Sequence, residues 1–129
     1  MAYILVVDDD IELATATSIA LEAAGHEVSY ELEIEKAEKS MHARKPDLIV
    51  LDVMFPESDT AGFELAQKIR HYDDELKDVP ILMMTGLNQE LSRQFSSGDI
   101  DQYWLPVNNF LEKPVDLEVL CDKVSEMLS

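Results

Sequence analysis

The hydrophobic residues of this chain follow two alternating patterns along its 129 positions. In the first pattern, several β-branched or aliphatic residues stand side by side, which is typical of strands that are buried on both faces of a sheet. Such runs predict strands at Tyr3–Val7, Val28–Tyr30, Leu48–Leu51, Ile81–Met84 and, more weakly patterned, Val107–Leu111.

The second pattern places apolar residues three or four positions apart, as in helices that pack one face against a core. Helices are predicted from Ile11 to a glycine stop at Gly25, at Ile34–Arg44, around Phe63–Arg70, around Gln89–Ser97 and at Asp116–Met127. In the first helix, a turn-by-turn series and a broad apolar side are both present. The series is Ile11, Ala14, Thr15, Ser18, Ile19 and Glu22, and the apolar side consists of Leu13, Ala16, Ala20 and Leu21. The alternation predicts an α/β fold, with a parallel sheet and helices on both of its faces. Since no repeat or linker interrupts it, residues 1–129 are predicted to form one domain.

Chemically active side chains follow most of the apolar runs. They are Asp8 and Asp9 after the first run, Asp52 after the third, Thr85 after the fourth, and Glu112 and Lys113 after the last. Only the Val28–Tyr30 strand lacks such a residue, as expected of an edge strand. Because the carboxyl ends of parallel strands lie on one edge of the sheet, these side chains are expected to converge there.

The predicted cluster of carboxylates needs a compensating positive charge. Two carboxylates at ~4 Å repel by about 4 kcal/mol at an effective dielectric constant of about 20. Lys113 supplies one positive charge, and a hard divalent cation such as Mg²⁺, which accepts few carboxylates and several waters, supplies more. An aspartate is also a competent nucleophile toward phosphorus, while a hydroxyl and an ammonium suit the oxygens of a transferring phosphoryl group. This set of groups predicts phosphoryl transfer to a carboxylate.

The charge balance narrows the range of partners. With 27 acidic and 10 basic residues, the formal net charge is −17. Such a surface disfavours nucleic acid and anionic lipid and favours cations or a partner with basic patches, although solubility alone is an equally good explanation. The single cysteine, Cys121, excludes an internal disulfide and is interpreted as a small buried residue of the last helix. The sequence shows no leader-like start and no membrane-length apolar run, so a cytoplasmic location is expected.

Four stretches, in this order and spacing, resemble the response regulator receiver domain (CheY-like) of two-component phosphorelay systems. They are ILVVDDD (Ile4–Asp10), DLIVLDVMFP (Asp47–Pro56), PILMMTG (Pro80–Gly86) and FLEKPVD (Phe110–Asp116). The resemblance spans essentially the whole chain. It implies a flavodoxin-like, doubly wound sheet of five parallel strands in the order 2-1-3-4-5, with five helices.

The resemblance also implies a signalling role. Asp52 would be the phosphoacceptor, taking a phosphoryl group from a sensor histidine kinase or a histidine phosphotransfer protein to form an aspartyl phosphate. Asp9 would bind Mg²⁺ directly, and Asp8 would bind it directly or through a water. The backbone carbonyl of Met54 and the carboxylate of Asp52 would complete the protein ligands. Such a domain is not an enzyme in the usual sense, although it catalyses its own phosphorylation and dephosphorylation.

The remaining roles implied by the resemblance concern catalysis and switching. Lys113 would pair with the phosphoryl oxygens, and Thr85 would move its hydroxyl onto them. Phe110 would then turn inward, which changes a surface that binds a downstream effector protein. The interval from Thr85 to Lys113 is longer than usual in this family, and the excess falls in Gly98–Asn109. The output surface is therefore the part of this chain to which the family pattern applies least closely.

Three other functions and one structural alternative compete with this interpretation. A pseudo-receiver would signal by binding alone, although Asp9, Asp52, Thr85 and Lys113 are all present. A phosphohydrolase of the haloacid dehalogenase type needs a second aspartate two residues after the nucleophile, where this chain has Met54. A dinucleotide-binding domain needs a glycine-rich loop after the first strand, which here ends in DDD. Asp8 and Asp9 could also merely begin a helix, with Asp9 and Glu12 forming a capping box.

Overall fold

The apolar runs of the sequence form the strands of a parallel sheet. In a computed structural model of the protein, residues 2–52, 61–72, 76–85, 109–112 and 116–128 are described. The elements are β1 (Tyr3–Val7), α1 (Ile11–Ala23), β2 (Glu27–Glu31), α2 (Ile34–Ala43), β3 (Leu48–Asp52), α3 (Ala61–Tyr72), β4 (Ile81–Thr85), β5 (Asn109–Glu112) and α4 (Leu117–Leu128). The helix predicted around Gln89–Ser97 lies outside the described residues.

The strand order of the sheet is β2-β1-β3-β4-β5, and every neighbouring pair is parallel. The predicted parallel sheet and its 2-1-3-4 order are therefore confirmed. β5 covers Asn109–Glu112, slightly later in the chain than the predicted Val107–Leu111. The strand order reverses at β1, because β2 lies on one side of β1 and β3 lies on the other. Ligands of such sheets bind at the carboxyl ends of the strands beside this reversal.

The hydrophobic core lies on both faces of the two central strands. Every residue of β1 and β3 is buried, and alternate side chains of each strand point to opposite faces. On one face, Leu5 and Ile49 pack with residues of α2 and α3. On the other face, Ile4 and Val50 pack with residues of α1 and α4. The predicted burial of these strands on both faces is confirmed, whereas β2 consists of exposed and half-buried residues, as an edge strand does.

Helix α1 ends just before Gly25, as the sequence predicts. The amides of Gly25 and His26 donate to the carbonyls of Glu22 (3.0 Å) and Leu21 (3.2 Å), which satisfies acceptors of the last turn. Gly25 has φ +100°, a conformation that favours glycine, so the chain can leave the helix and enter β2 within a few residues.

The buried face of α1 contains only part of the predicted residues, namely Ala14, Ser18 and Leu21. Ala14, Thr17, Ser18 and Leu21 are buried, whereas Ile11 and Ile19 are 45% and 66% exposed. The reason is that small residues let the helix approach the sheet closely. Ile19 then lies on the far side of the helix, and Ile11 lies at its exposed first turn. No helix in the described ranges combines the length and the apolar character needed to cross a membrane.

Thr17 on this buried face offers a test of the packing. Its hydroxyl is fully buried and meets no hydrogen-bond partner within the described part of the chain. Because burying an unpaired hydroxyl is unfavourable, Thr17→Val is expected to raise the free energy of unfolding by about 1 kcal/mol, measured by urea denaturation. Thr17→Ser keeps the hydroxyl and removes the methyl group, and is expected to lower stability. A valine variant less stable than the wild type would show that the hydroxyl is hydrogen-bonded.

The amino-terminal ends of the central strands are held by polar contacts at the edge of the sheet opposite Asp52. Asp47, just before β3, accepts a hydrogen bond from the amide of Tyr3 at 2.8 Å. The guanidinium of Arg44 lies 3.9 Å from the centroid of the Tyr3 ring and forms an ion pair with Glu27. The hydrogen bond from Arg44 lowers the pKa of the Glu27 carboxyl. These contacts stabilise the beginnings of β1 and β3, at the ends of the strands away from Asp8 and Asp52.

Candidate functional site

Two aspartates lie side by side where β1 and β3 end. The register pairs Val7 with Leu51, so the next residues, Asp8 and Asp52, are neighbours on adjacent strands. Asp8 is fully buried and Asp52 is 2% exposed. Burial of carboxylates is expensive unless their charge is compensated, and such a pair at a strand-order reversal indicates a binding site.

Asp9 joins these two residues to form the site. One carboxylate oxygen from each of Asp8, Asp9 and Asp52 lies within 4.8 Å of the other two. Asp9 is exposed to solvent, while Asp8 and Asp52 are buried. The cluster offers oxygen ligands only, which suits a hard divalent cation, and its mutual repulsion favours binding one. The predicted convergence of these three side chains is present in the structure.

The backbone of the turn after β1 holds Asp8 in place. The amide of Asp8 donates to the carbonyl of Glu31 at 3.1 Å, which ties the turn to the end of β2. The carboxylate of Asp8 accepts, through Oδ1, a hydrogen bond from the amide of Asp10 at 2.9 Å. Both contacts use main-chain amides, and the sequence pattern does not predict either of them.

The other predicted site residues are described only in part. Thr85 is the last residue of β4, one position beyond Met84, which pairs with Asp52, and its backbone therefore lies at the same edge. Phe110 lies in β5 opposite Met83. The side chains of Thr85 and Phe110, and the whole of Lys113 and Met54, lie outside the described residues. The predicted roles of these four residues stay predictions.

The alternative in which Asp9 caps the first helix is wrong. The N-cap of α1 is Asp10, whose side chain accepts hydrogen bonds from the amides of Glu12 and Leu13. Asp9 instead contributes to the carboxylate cluster. Aspartate is favoured at every N-cap, so three consecutive aspartates offer several starting points for the helix and the sequence alone does not choose between them.

One cysteine and two histidines among the described residues, Cys121, His26 and His42, lack the features of a reactive group. Cys121 is half-buried against the α1–α4 core, and its thiol donates to the carbonyl of Ala20 at 3.6 Å. Burial and, second, the charge of Asp122 raise the pKa of this thiol, which keeps it protonated at neutral pH. His26 accepts a hydrogen bond from the amide of Ala2 (3.4 Å), and His42 is exposed. Neither histidine belongs to the carboxylate cluster found among the described residues.

Comparisons with known proteins agree with this geometry. The DNA-binding dual master transcriptional regulator RpaA of Synechocystis sp. is 35% identical over 130 residues, covering 99% of this chain and 49% of RpaA. The CAI-1 autoinducer sensor kinase/phosphatase CqsS of Vibrio cholerae is 35% identical over 124 residues, covering 95% of this chain and 17% of CqsS. This chain therefore spans half or less of the length of these relatives.

Structural similarity covers the whole chain. The chemotaxis response regulator CheY4 of Vibrio cholerae superposes with a TM-score of 0.81 at 29% identity, and 99% of each chain is covered. The family profile described as the response regulator receiver domain matches residues 4–125, a range that contains the three clustered aspartates. The chain belongs to the response regulator receiver domain family of two-component signalling systems.

Proposed function

We propose that residues 1–129 form one receiver domain, with five strands and five helices, in which Asp52 accepts a phosphoryl group in a Mg²⁺-dependent reaction. The observation that carries the proposal is the approach of the Asp8, Asp9 and Asp52 carboxylates to within 4.8 Å of one another. We assign Asp52 as the acceptor because of its position: it ends the central strand β3, between the ends of β1 and β4, and matches the acceptor position of the family pattern. Asp8 and Asp9, which directly follow β1, are left to bind the cation.

The residues of the cluster fit Mg²⁺. Carboxylates from Asp8, Asp9 and Asp52 would hold the ion, and the family resemblance adds the backbone carbonyl of Met54. When bound, Mg²⁺ offsets the negative charge of the cluster and of the phosphoryl oxygens. The exposed position of Asp9 leaves room for the phosphoryl donor to approach from solvent.

The chemistry proposed for this chain is an in-line displacement. A carboxylate oxygen of Asp52 attacks the phosphorus of a phosphohistidine, the new P–O bond forms, and the P–N bond breaks, leaving the electron pair on the imidazole nitrogen. Lys113 would balance charge on the phosphoryl oxygens, and Thr85 would donate its hydroxyl to one of them. Hydrolysis of the aspartyl phosphate returns the carboxylate.

The output would be a change of protein-binding surface. The phosphoryl group adds negative charge and new acceptor oxygens at Asp52. Movement of Thr85 and Phe110 toward the site would bias the surface near β4 and β5 between two states, which a cytoplasmic effector protein distinguishes. The acidic charge of the chain, −17, favours a partner with basic patches.

The proposal is tested by incubating the wild-type protein with acetyl phosphate and Mg²⁺ and measuring its intact mass. We expect one phosphoryl group per chain, formed with Mg²⁺ and not with EDTA. A protein that stays unlabelled but still binds its effector would be a pseudo-receiver. A protein that hydrolyses an external phosphate ester, such as p-nitrophenyl phosphate, with multiple turnovers would be a phosphohydrolase.

The phosphodonor protein is expected to dock on the exposed face of α1. This helix begins two residues after Asp9, and it exposes two large apolar side chains to solvent, Ile11 in its first turn and Ile19 two turns further along. We expect Ile19→Glu to slow phosphotransfer from a histidine kinase or phosphotransfer protein by about tenfold, the effect of losing roughly 1.4 kcal/mol of docking energy. Initial rates of transfer from the phosphorylated donor provide the measurement.

Two controls separate docking from damage to the site. Labelling by acetyl phosphate needs no docking, so Ile19→Glu is expected to leave its rate unchanged within about twofold. Ala23→Glu adds the same charge at the exposed far end of α1, ~18 Å along the axis from Ile11. Equal slowing by both substitutions would show that added charge, and not loss of the isoleucine, is responsible.

A further inference from the structure

The three consecutive aspartates after β1 have three different environments. Asp8 is fully buried, Asp9 is an exposed member of the carboxylate cluster, and Asp10 is exposed and lies outside the cluster. The carboxylate of Asp10 faces the helix: its Oδ1 accepts from the amides of Glu12 (3.0 Å) and Leu13 (3.3 Å). It is therefore engaged with the first turn of α1, not with a ligand.

The backbone of Asp10 connects this cap to the site. Its amide donates to Oδ1 of Asp8 at 2.9 Å, while its carbonyl accepts from the amide of Ala14 at 2.8 Å. Asp10 has φ −88° and ψ 106°, the extended conformation that an N-cap residue requires. The side-chain cap thus stabilises the conformation in which the Asp10 amide donates to the Asp8 carboxylate.

We propose that Asp10 is a positioning residue for the cation site: by capping α1 it holds the amide that orients the Asp8 carboxylate. This inference rests on the proposed function, because it assumes that the cluster binds Mg²⁺. Mutation of partners that orient metal ligands typically weakens metal binding by roughly 10- to 100-fold. Asp10 acts through Asp8 and does not touch the cation.

The carboxylate of Asp10 also carries a charge near the site, and the test must separate that charge from the cap. Asparagine caps helices as well as aspartate does but is neutral, whereas alanine is neutral and does not cap. A comparison of Asp10→Asn with Asp10→Ala therefore removes the charge in both variants and the cap in one. Asp47→Ala serves as the matched control, because it removes an aspartate hydrogen bond to the Tyr3 amide at the far ends of β1 and β3.

The measurement is Mg²⁺ affinity by isothermal titration calorimetry, with thermal unfolding in EDTA to record the loss of stability. Asp10→Ala is expected to bind Mg²⁺ about tenfold more weakly than Asp10→Asn, the lower end of the range for residues that orient a ligand. Asp47→Ala is expected to unfold at a lower temperature than the wild type and to bind Mg²⁺ with unchanged affinity.

The outcomes distinguish this inference from the function on which it rests. If the wild type binds no Mg²⁺, the proposed cation site itself is wrong. If the wild type binds Mg²⁺ and the asparagine and alanine variants have equal affinities, the cap does not position Asp8. If Asp47→Ala weakens binding as much as Asp10→Ala does, the effect follows from lost stability, and the positioning role is again excluded.

Discussion

Replacing Asp52 by alanine is expected to abolish labelling of this chain by acetyl phosphate, with residual incorporation below about one-hundredth of the wild-type level. The reason is chemical: the carboxylate supplies the oxygen that forms the new bond to phosphorus, and alanine offers none. Asp8 and Asp9 retain their carboxylates, but the hydrogen bond from the Asp10 amide directs Asp8, and Asp9 lies at the solvent-exposed side. Intact-mass measurement after a fixed incubation with Mg²⁺ follows the loss directly.

The control for this prediction is Asp47→Ala. Asp47 lies just before β3 and Asp52 is the last residue of that strand, so the two aspartates lie at opposite ends of the same strand. We expect labelling of Asp47→Ala at the wild-type stoichiometry. Full labelling of Asp52→Ala would place the acceptor on another residue, and mapping the modified peptide would identify it.

The sequence was sufficient to predict the parallel sheet and the location of its site. The continuous apolar runs around Leu5 and Val50 require burial on both faces, and that burial fixes parallel strands covered by helices. Once the strands are parallel, residues that directly follow them must meet at one edge. Asp8 and Asp52 became neighbours for this reason, without any information beyond the order of residues.

The details of α1 could not be predicted in the same way. This helix is apolar or small on nearly all sides, so the spacing of its hydrophobic residues does not identify the face that packs on the sheet. In the structure, the face with small residues, such as Ala14, packs on the sheet because it allows the helix to approach the sheet closely. Ile19 is exposed. The choice of Asp10 over Asp9 as the N-cap has a related cause: it depends on where the strand stops and the helix begins, and propensity is equal at both positions.

Asp52→Asn is expected to make the protein more stable when Mg²⁺ is removed. At the 4.8 Å limit that bounds the cluster, two carboxylates repel by about 3 kcal/mol at an effective dielectric constant of about 20. Asparagine keeps the shape of the side chain and removes one of the three charges. Because asparagine would also alter the other interactions of Asp52, the net increase in the free energy of unfolding in EDTA is expected to be on the order of 1–3 kcal/mol.

Mg²⁺ should act in the opposite direction. A ligand that binds only the folded state at about 100 times its dissociation constant stabilises that state by about 2.7 kcal/mol. The wild type would gain this stabilisation, and Asp52→Asn, with one carboxylate fewer, would gain much less, so the advantage of the variant is expected to shrink by about 2 kcal/mol. Urea denaturation of both proteins with EDTA and with saturating Mg²⁺ measures all four values.

The pattern of these four values is informative because a simple structural role for Asp52 predicts a different one. If the Asp52 carboxylate mainly stabilised the fold through its contacts, Asp52→Asn would be less stable in both conditions. If the cluster bound no cation, Mg²⁺ would leave the difference between the two proteins unchanged, as it is expected to do for Asp47→Asn. The loss of stability caused by the Asp52 carboxylate depends on Mg²⁺ only if a bound cation relieves the charge repulsion in the site. The function proposed for this chain requires such a site.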